Sequence, residues 1–144
     1  MDWINDLQGK TIGLDTAPLI YFIEENPAYI DRVESFFRGM EHGDFTVVTS
    51  TVTLLEVLVQ PLRMQQPKIA EEYRDVLLNS NLLTFDFSAD ISEQAALLRA
   101  RYNLRTPDAI QISTALKAGA TLFFTNDIRL PEIPSIQILF LDSV

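Results

Sequence analysis

Two rhythms of apolar and polar residues succeed each other along this chain, and their succession predicts an order of elements. Residues 11–14, Thr-Ile-Gly-Leu, are a short apolar run of the kind a buried strand shows. From 16 to 25 the apolar positions Leu19, Ile20, Phe22 and Ile23 fall at helical spacing, until Asn26-Pro27 breaks the pattern. A second helix is expected to about Met40, with Ile30, Val33, Phe36 and Phe37 on one face. Gly43-Asp44 reads as a turn and 45–49 as a strand. Residues 53–60 read as a short helix closed near Pro61, and 67–79 as another carrying Ile69, Tyr73, Val76 and Leu77. The stretch 82–87 alternates like a strand, and 89–103 returns to helical spacing through Ile91, Ala95, Leu98 and Tyr102. Thr106-Pro107 opens a last helix, ended by Gly119, and 121–124 and 136–141 are the final strands.

Strands alternating with helices over a whole chain imply an α/β fold, a parallel sheet flanked by α-helices in three layers, α/β/α. The length of 144 residues fits one domain, and no repeat, low-complexity segment or linker divides residues 1–144. In open parallel sheets, sites form outside the carboxyl ends of the strands.

Composition narrows the class. Hydrophobic residues make up 47%, enough for a packed core and too many for disorder. No apolar run approaches the length of a membrane span, so no membrane association is expected. Met-Asp-Trp-Ile-Asn-Asp lacks the basic start and apolar core of a signal peptide, and a cytoplasmic protein is the simplest expectation. The absence of cysteine excludes disulfides and thiolate chemistry. The single histidine, His42, sits in Glu-His-Gly-Asp, expected to be an exposed turn rather than a general base.

Four carboxylates stand in apolar settings: Asp15 after Thr-Ile-Gly-Leu, Glu56 inside Thr-Leu-Leu-Glu-Val-Leu-Val, Asp108 in Pro-Asp-Ala-Ile-Gln-Ile, and Asp127 after Leu-Phe-Phe-Thr-Asn. An ionised carboxylate in such a place is costly without a partner or a metal. Asp15 and Asp127 lie just past strand ends, and Glu56 and Asp108 lie near helix starts. If the four meet, they do so at one sheet edge, as oxygen donors for a divalent cation acting on phosphate esters. Each also has an ordinary structural reading. Asp15 can cap the helix that follows, Thr53-Leu-Leu-Glu56 matches a capping box, Thr106-Pro107-Asp108 reads as cap, proline and dipole-favoured acid, and Asn126-Asp127 as a turn.

These motifs, in this order, resemble PIN-domain ribonucleases, most closely the bacterial toxins of the VapC type. The residues that carry the resemblance are Leu-Asp-Thr-Ala-Pro-Leu-Ile at 14–20, Thr-Leu-Leu-Glu-Val-Leu-Val with Pro61-Leu62-Arg63 behind it, Leu-Arg-Thr-Pro-Asp-Ala-Ile at 104–110, and Phe-Thr-Asn-Asp at 124–127. The resemblance implies a single PIN-like domain and an acidic quartet of Asp15, Glu56, Asp108 and Asp127 holding Mg2+ or Mn2+ for hydrolysis of RNA. It makes Asp15 and Asp108 the direct ligands, with Glu56 and Asp127 completing the shell. Thr16, Thr125 and Asn126 would orient ligands or contact phosphate, and Arg105 or Arg129 would bind the RNA backbone. It further implies a cognate antitoxin and a homodimer.

The net charge of -9 sits uneasily with an RNA substrate, although part of it is the proposed quartet itself. Arg99, Arg101 and Arg105 cluster ahead of Asp108, either as a phosphate-binding group or as ordinary surface charge. Other α/β readings fare worse. A phosphorelay receiver needs a lysine after a late strand, and none follows Phe124. A haloacid-dehalogenase-like phosphatase needs a second aspartate two positions after the first, and position 17 is alanine. A PIN-like binding module without catalysis is the alternative that the sequence leaves open.

Overall fold

A computed structural model describes residues 2–144 of the chain. Five parallel strands form one sheet in the order β3-β2-β1-β4-β5: β1 (Thr11–Leu14), β2 (Thr46–Ser50), β3 (Leu83–Phe85), β4 (Leu122–Thr125) and β5 (Gln137–Phe140). Among the described residues seven helices surround it: α1 (Asp2–Asn5), α2 (Thr16–Ile23), α3 (Ile30–His42), α4 (Thr51–Arg63), α5 (Pro67–Asn79), α6 (Ala89–Tyr102) and α7 (Thr106–Lys117). A 3-10 turn, Leu141–Ser143, follows the last strand. The expected three-layer α/β architecture is therefore the one observed. Among the described residues no helix is long and apolar enough to cross a membrane.

Pleating sends alternate strand residues to opposite layers. On one face Ile12, Leu14, Val47, Leu122 and Phe124 pack with Leu19, Val33, Phe36, Phe37, Val57 and Tyr73 of α2 to α5. Phe36 is the hub of that layer, fully buried against Trp3, Phe37, Phe45 and Phe124. On the other face Val48 and Phe123 meet Ile91, Ala95 and Leu98 of α6 and Ala109, Ile112 and Ala115 of α7.

Gly13 fixes the depth of that second packing. A Cβ placed there would lie 2.5 Å from the Cβ of Ala115 and 3.0 Å from Cδ1 of Phe123. Only the missing side chain lets α7 lie directly on β1.

Several boundaries differ from those the pattern predicts. α2 stops at Ile23, and Glu25 takes a positive φ of 53°. α1 has no counterpart in the predicted pattern; its Trp3 lies over Phe36 and Phe124. β3 is only three residues long, half of the predicted stretch. α4 begins at Thr51, where the Oγ of Ser50 accepts from the Val52 N–H, and it runs past the predicted stop at Pro61 to Arg63. Proline forfeits one helical hydrogen bond, yet Pro61 is buried, and the Met64 N–H closes the turn on the Gln60 carbonyl at 2.9 Å. The capping box at Thr53 and Glu56 does not form, because Thr53 lies inside the helix and its hydroxyl faces Thr49. Thr106 is likewise the first helical residue of α7 rather than its cap, a shift of one position.

Candidate functional site

The crossovers bring the carboxyl ends of β1 and β4 together, and the residues that follow these strands share one open cavity of about 360 Å3. Asp15, Glu56, Asp108 and Asp127 all line it, with Thr16, Ala17, Ile20, Arg105, Asn126 and Arg129. A larger hollow of about 560 Å3 beside α6 and α7 holds Asp90, Glu93 and Lys117 but none of these residues. Size is a poor guide here, because the smaller cavity carries the buried acids.

Asp15 is 8% exposed and both carboxylate oxygens are engaged. Its Oδ1 accepts from the Thr16 N–H at 2.7 Å, so it does cap α2 as its position allowed. Its Oδ2 accepts from the Thr125 hydroxyl at 2.6 Å. Thr125 in turn accepts from the Asp127 N–H at 3.0 Å, which ties the turn after β4 to the acid after β1. Burial pushes the Asp15 carboxyl above its ordinary range, against the pull of its two hydrogen bonds, and the charges of Asp108 and Glu56 push the same way.

Glu56 stands in the second turn of α4. Its Oε1 accepts from the Thr16 hydroxyl at 2.9 Å and lies 3.3 Å from the Gln111 Nε2. Asp108, 5% exposed, is the third residue of α7, and Arg105 grips it with Nε on Oδ2 at 3.1 Å and Nη2 on Oδ1 at 3.4 Å. The Arg105 side chain remains 65% exposed. Asp127 is half-buried and held by Arg129, whose backbone N–H and Nε both donate to Oδ1 at 3.0 Å. That hydrogen bond from the guanidinium draws the Asp127 carboxyl below its ordinary range.

Two of the four acids thus have a guanidinium partner and two do not. Asp15 and Glu56 receive only neutral donors among the described residues. The donor set is all carboxylate oxygen, which fits a hard divalent cation, and no described cationic side chain is hydrogen-bonded to Asp15 or Glu56. As the side chains stand, no group of three or more acids or histidines among the described residues is gathered closely enough to hold a metal ion. Asp108 and Asp127 are instead paired with Arg105 and Arg129.

The other expected residues divide. Asn126 lines the cavity, with its Nδ2 3.4 Å from the Tyr21 hydroxyl. Arg105 and Arg129 face the acids directly. Arg99 does not join them, because its Nε donates to the Leu104 carbonyl at 2.8 Å and closes the end of α6; Arg101 is exposed on that helix. His42 is exposed in the last turn of α3, ahead of β2 and away from the carboxyl edge. Pattern reading missed Gln111, Thr53 and Thr49, which lie beneath Glu56 and Thr16. The available signal was a glutamine in the otherwise apolar Ala-Ile-Gln-Ile of α7.

A family model described as PIN domain matches residues 12–136. Among solved structures, VapBC2 from Rickettsia felis, bound to a DNA fragment from their promoter, is similar with a TM-score of 0.70 and 20% identity, over 90% of this chain and 98% of that one. A toxin-antitoxin complex from Klebsiella pneumoniae is similar with a TM-score of 0.64 and 23% identity, over 92% of this chain and 98% of that one. Mycobacterium tuberculosis VapC20, a sarcin-ricin loop cleaving toxin, gives a TM-score of 0.67 and 18% identity, over 86% of this chain and 98% of that one. At such identities the likeness speaks for the fold. No curated protein matches the chain by sequence.

Proposed function

Because the chain belongs to the PIN domain family, we propose that it is an endoribonuclease dependent on Mg2+ or Mn2+, with Asp15, Glu56, Asp108 and Asp127 as its acidic site. The observation that carries this reading is the shared cavity. Four carboxylates from four separate segments line one space, and the Asp15 carboxyl is raised by burial and by two of the others. A fold that needed only helix caps would have no reason to concentrate this charge.

Asp15 and Asp108 are the proposed direct ligands, and Glu56 and Asp127 complete the shell. When bound, a divalent cation supplies an acidified water as nucleophile and a counter-charge for the phosphoryl oxygens. The chain's own residues do the rest. Thr125 and the Thr16 N–H fix the Asp15 carboxylate from behind. Glu56, held through one oxygen and lining the cavity, takes the proton of the attacking water on this reading. Arg105, long and largely exposed, leaves Asp108 and turns its guanidinium to a backbone phosphate of the RNA, and Arg129, also exposed, does the same from Asp127.

A second, narrower reading is that the nuclease is the toxin of a toxin-antitoxin pair. The similarity to a toxin and to chains of two such complexes, over more than four-fifths of the sequence, favours it. On this reading a cognate antitoxin covers the cavity in the cytoplasm, and the toxin pairs with a second copy of itself. The experiment for the main reading is cleavage of a mixed RNA pool with Mn2+ against EDTA, wild type beside Asp108→Asn. Cleavage that needs both the cation and Asp108 supports it. Metal-independent cleavage would overturn the metal site, and no cleavage returns the chain to a binding module.

A further inference from the structure

Beneath the cavity lies a chain of hydrogen bonds whose direction can be worked out from its ends. Thr49 donates its only hydroxyl hydrogen to the Leu14 carbonyl, which can only accept, at 3.1 Å. In the 2.8 Å contact between the Thr49 and Thr53 hydroxyls, Thr53 must therefore be the donor. At the other end the Thr16 hydroxyl donates to the Glu56 carboxylate at 2.9 Å. Thr53 and Thr16 have thus both committed their hydrogens and offer only lone pairs to what lies between them. What lies between them is the side-chain amide of Gln111, 2% exposed, with Nε2 2.9 Å from Thr53 Oγ1 and 2.8 Å from Thr16 Oγ1. An NH2 group supplies the two hydrogens this place requires. The flipped amide would set its oxygen against two spent hydroxyls and the Glu56 carboxylate.

We propose that Gln111 is a positioning residue for Glu56. It fixes the Thr16 hydroxyl as a donor to Glu56 Oε1, while its own Nε2, both hydrogens spent on Thr16 and Thr53, lies 3.3 Å from that oxygen. Oε1 is thereby turned inward, and Oε2, which has no hydrogen-bond partner among the described residues, is the oxygen Glu56 presents to the cavity. Through Thr53 and Thr49 the same amide is anchored to the carbonyl just before Asp15, so the two acids without a guanidinium are set by one network. This rests on the reading of Glu56 as part of a metal-dependent site.

The test is calorimetric titration of Mn2+ into metal-free protein, wild type beside Gln111→Met and Gln111→Glu. The first variant keeps the shape without donors, and the second replaces a donor with an acceptor. Both are checked for folding by thermal melting. A positioning role predicts that folded Gln111→Met binds Mn2+ about 10- to 100-fold more weakly, the usual effect of losing a group behind a ligand, and that Gln111→Glu loses more. A packing role alone lowers the melting temperature and leaves Mn2+ affinity unchanged, which would overturn the inference. A second arm needs no metal: unfolding of Gln111→Met, Glu56→Ala and the double variant in EDTA. Non-additive midpoints are expected; additive ones overturn the coupling even where Mn2+ fails to bind wild type, an outcome that by itself overturns only the metal reading.

Discussion

The hydroxyl of Thr125, the last residue of β4, donates to Oδ2 of Asp15 at 2.6 Å across 110 positions of sequence. This one contact joins the two central strand ends on which the cavity is built. It also shows why Asp15 tolerates burial. The hydrogen bonds from Thr125 and from the Thr16 N–H favour the ionised form, and desolvation together with Asp108 and Glu56 outweighs them.

Asp15→Asn is accordingly expected to stabilise the metal-free protein near neutral pH while removing Mn2+ binding and cleavage. The amide oxygen can still accept from the Thr16 N–H, and its NH2 can donate to Thr125. The sign follows from linkage. Asp15 keeps its proton to a higher pH when folded than when unfolded, so its penalty is absent below the unfolded value near 3.8 and is complete once pH passes the raised folded value. Denaturant midpoints in EDTA for both proteins, from pH 4 upward, should diverge with rising pH in favour of Asn. A gap that does not grow with pH contradicts this.

Arg105→Gln should move two properties in opposite directions. Losing the guanidinium frees Asp108 and strengthens Mn2+ binding several-fold. It also removes one phosphate contact, so the salt dependence of single-stranded RNA binding should fall by about 0.7 in log-log slope. The paired side chain is largely exposed, and the stability change should stay within about 1 kcal/mol. Calorimetry and a salt titration of RNA affinity check both halves.

Gly13→Ala should act on the site through packing. The new methyl meets the Ala115 Cβ at 2.5 Å, so α7 must move off β1, taking Asp108 with it. Overpacking of this kind costs about 1–3 kcal/mol. The expected result is a lower melting temperature together with weaker Mn2+ binding. Unchanged melting would show that α7 is not seated this closely.

Ser50→Ala should cost about 1 kcal/mol in chemical unfolding, since Ser50 caps α4 by accepting from the Val52 N–H at 3.1 Å. A loss at Thr53 would arise differently, from the buried network with Thr49 and Gln111. Ser50→Gly, which caps nearly as well, should recover most of the loss.

The sequence by itself determined the order of elements from β1 onward, the parallel α/β class, and which acids follow strand ends or open helices. These are local properties: apolar spacing sets strand or helix, and Asp15 caps α2 through its own neighbour Thr16. The motif order was also enough to point to the PIN family. Tertiary structure alone decided the partners. Ser50, not Thr53, starts α4, because Thr53 is drawn to Thr49 and to Gln111, 58 positions away. Arg105 rather than Arg99 reaches the cavity, because α6 ends in a left-handed Asn103 and Arg99 turns back on Leu104. The same holds for Gln111, whose place under Glu56 exists only once α7 lies on β1 and α4 beside them. A hydrogen-bond partner is chosen by distance and by which hydrogens remain free, and neither is set until strands far apart in sequence have paired.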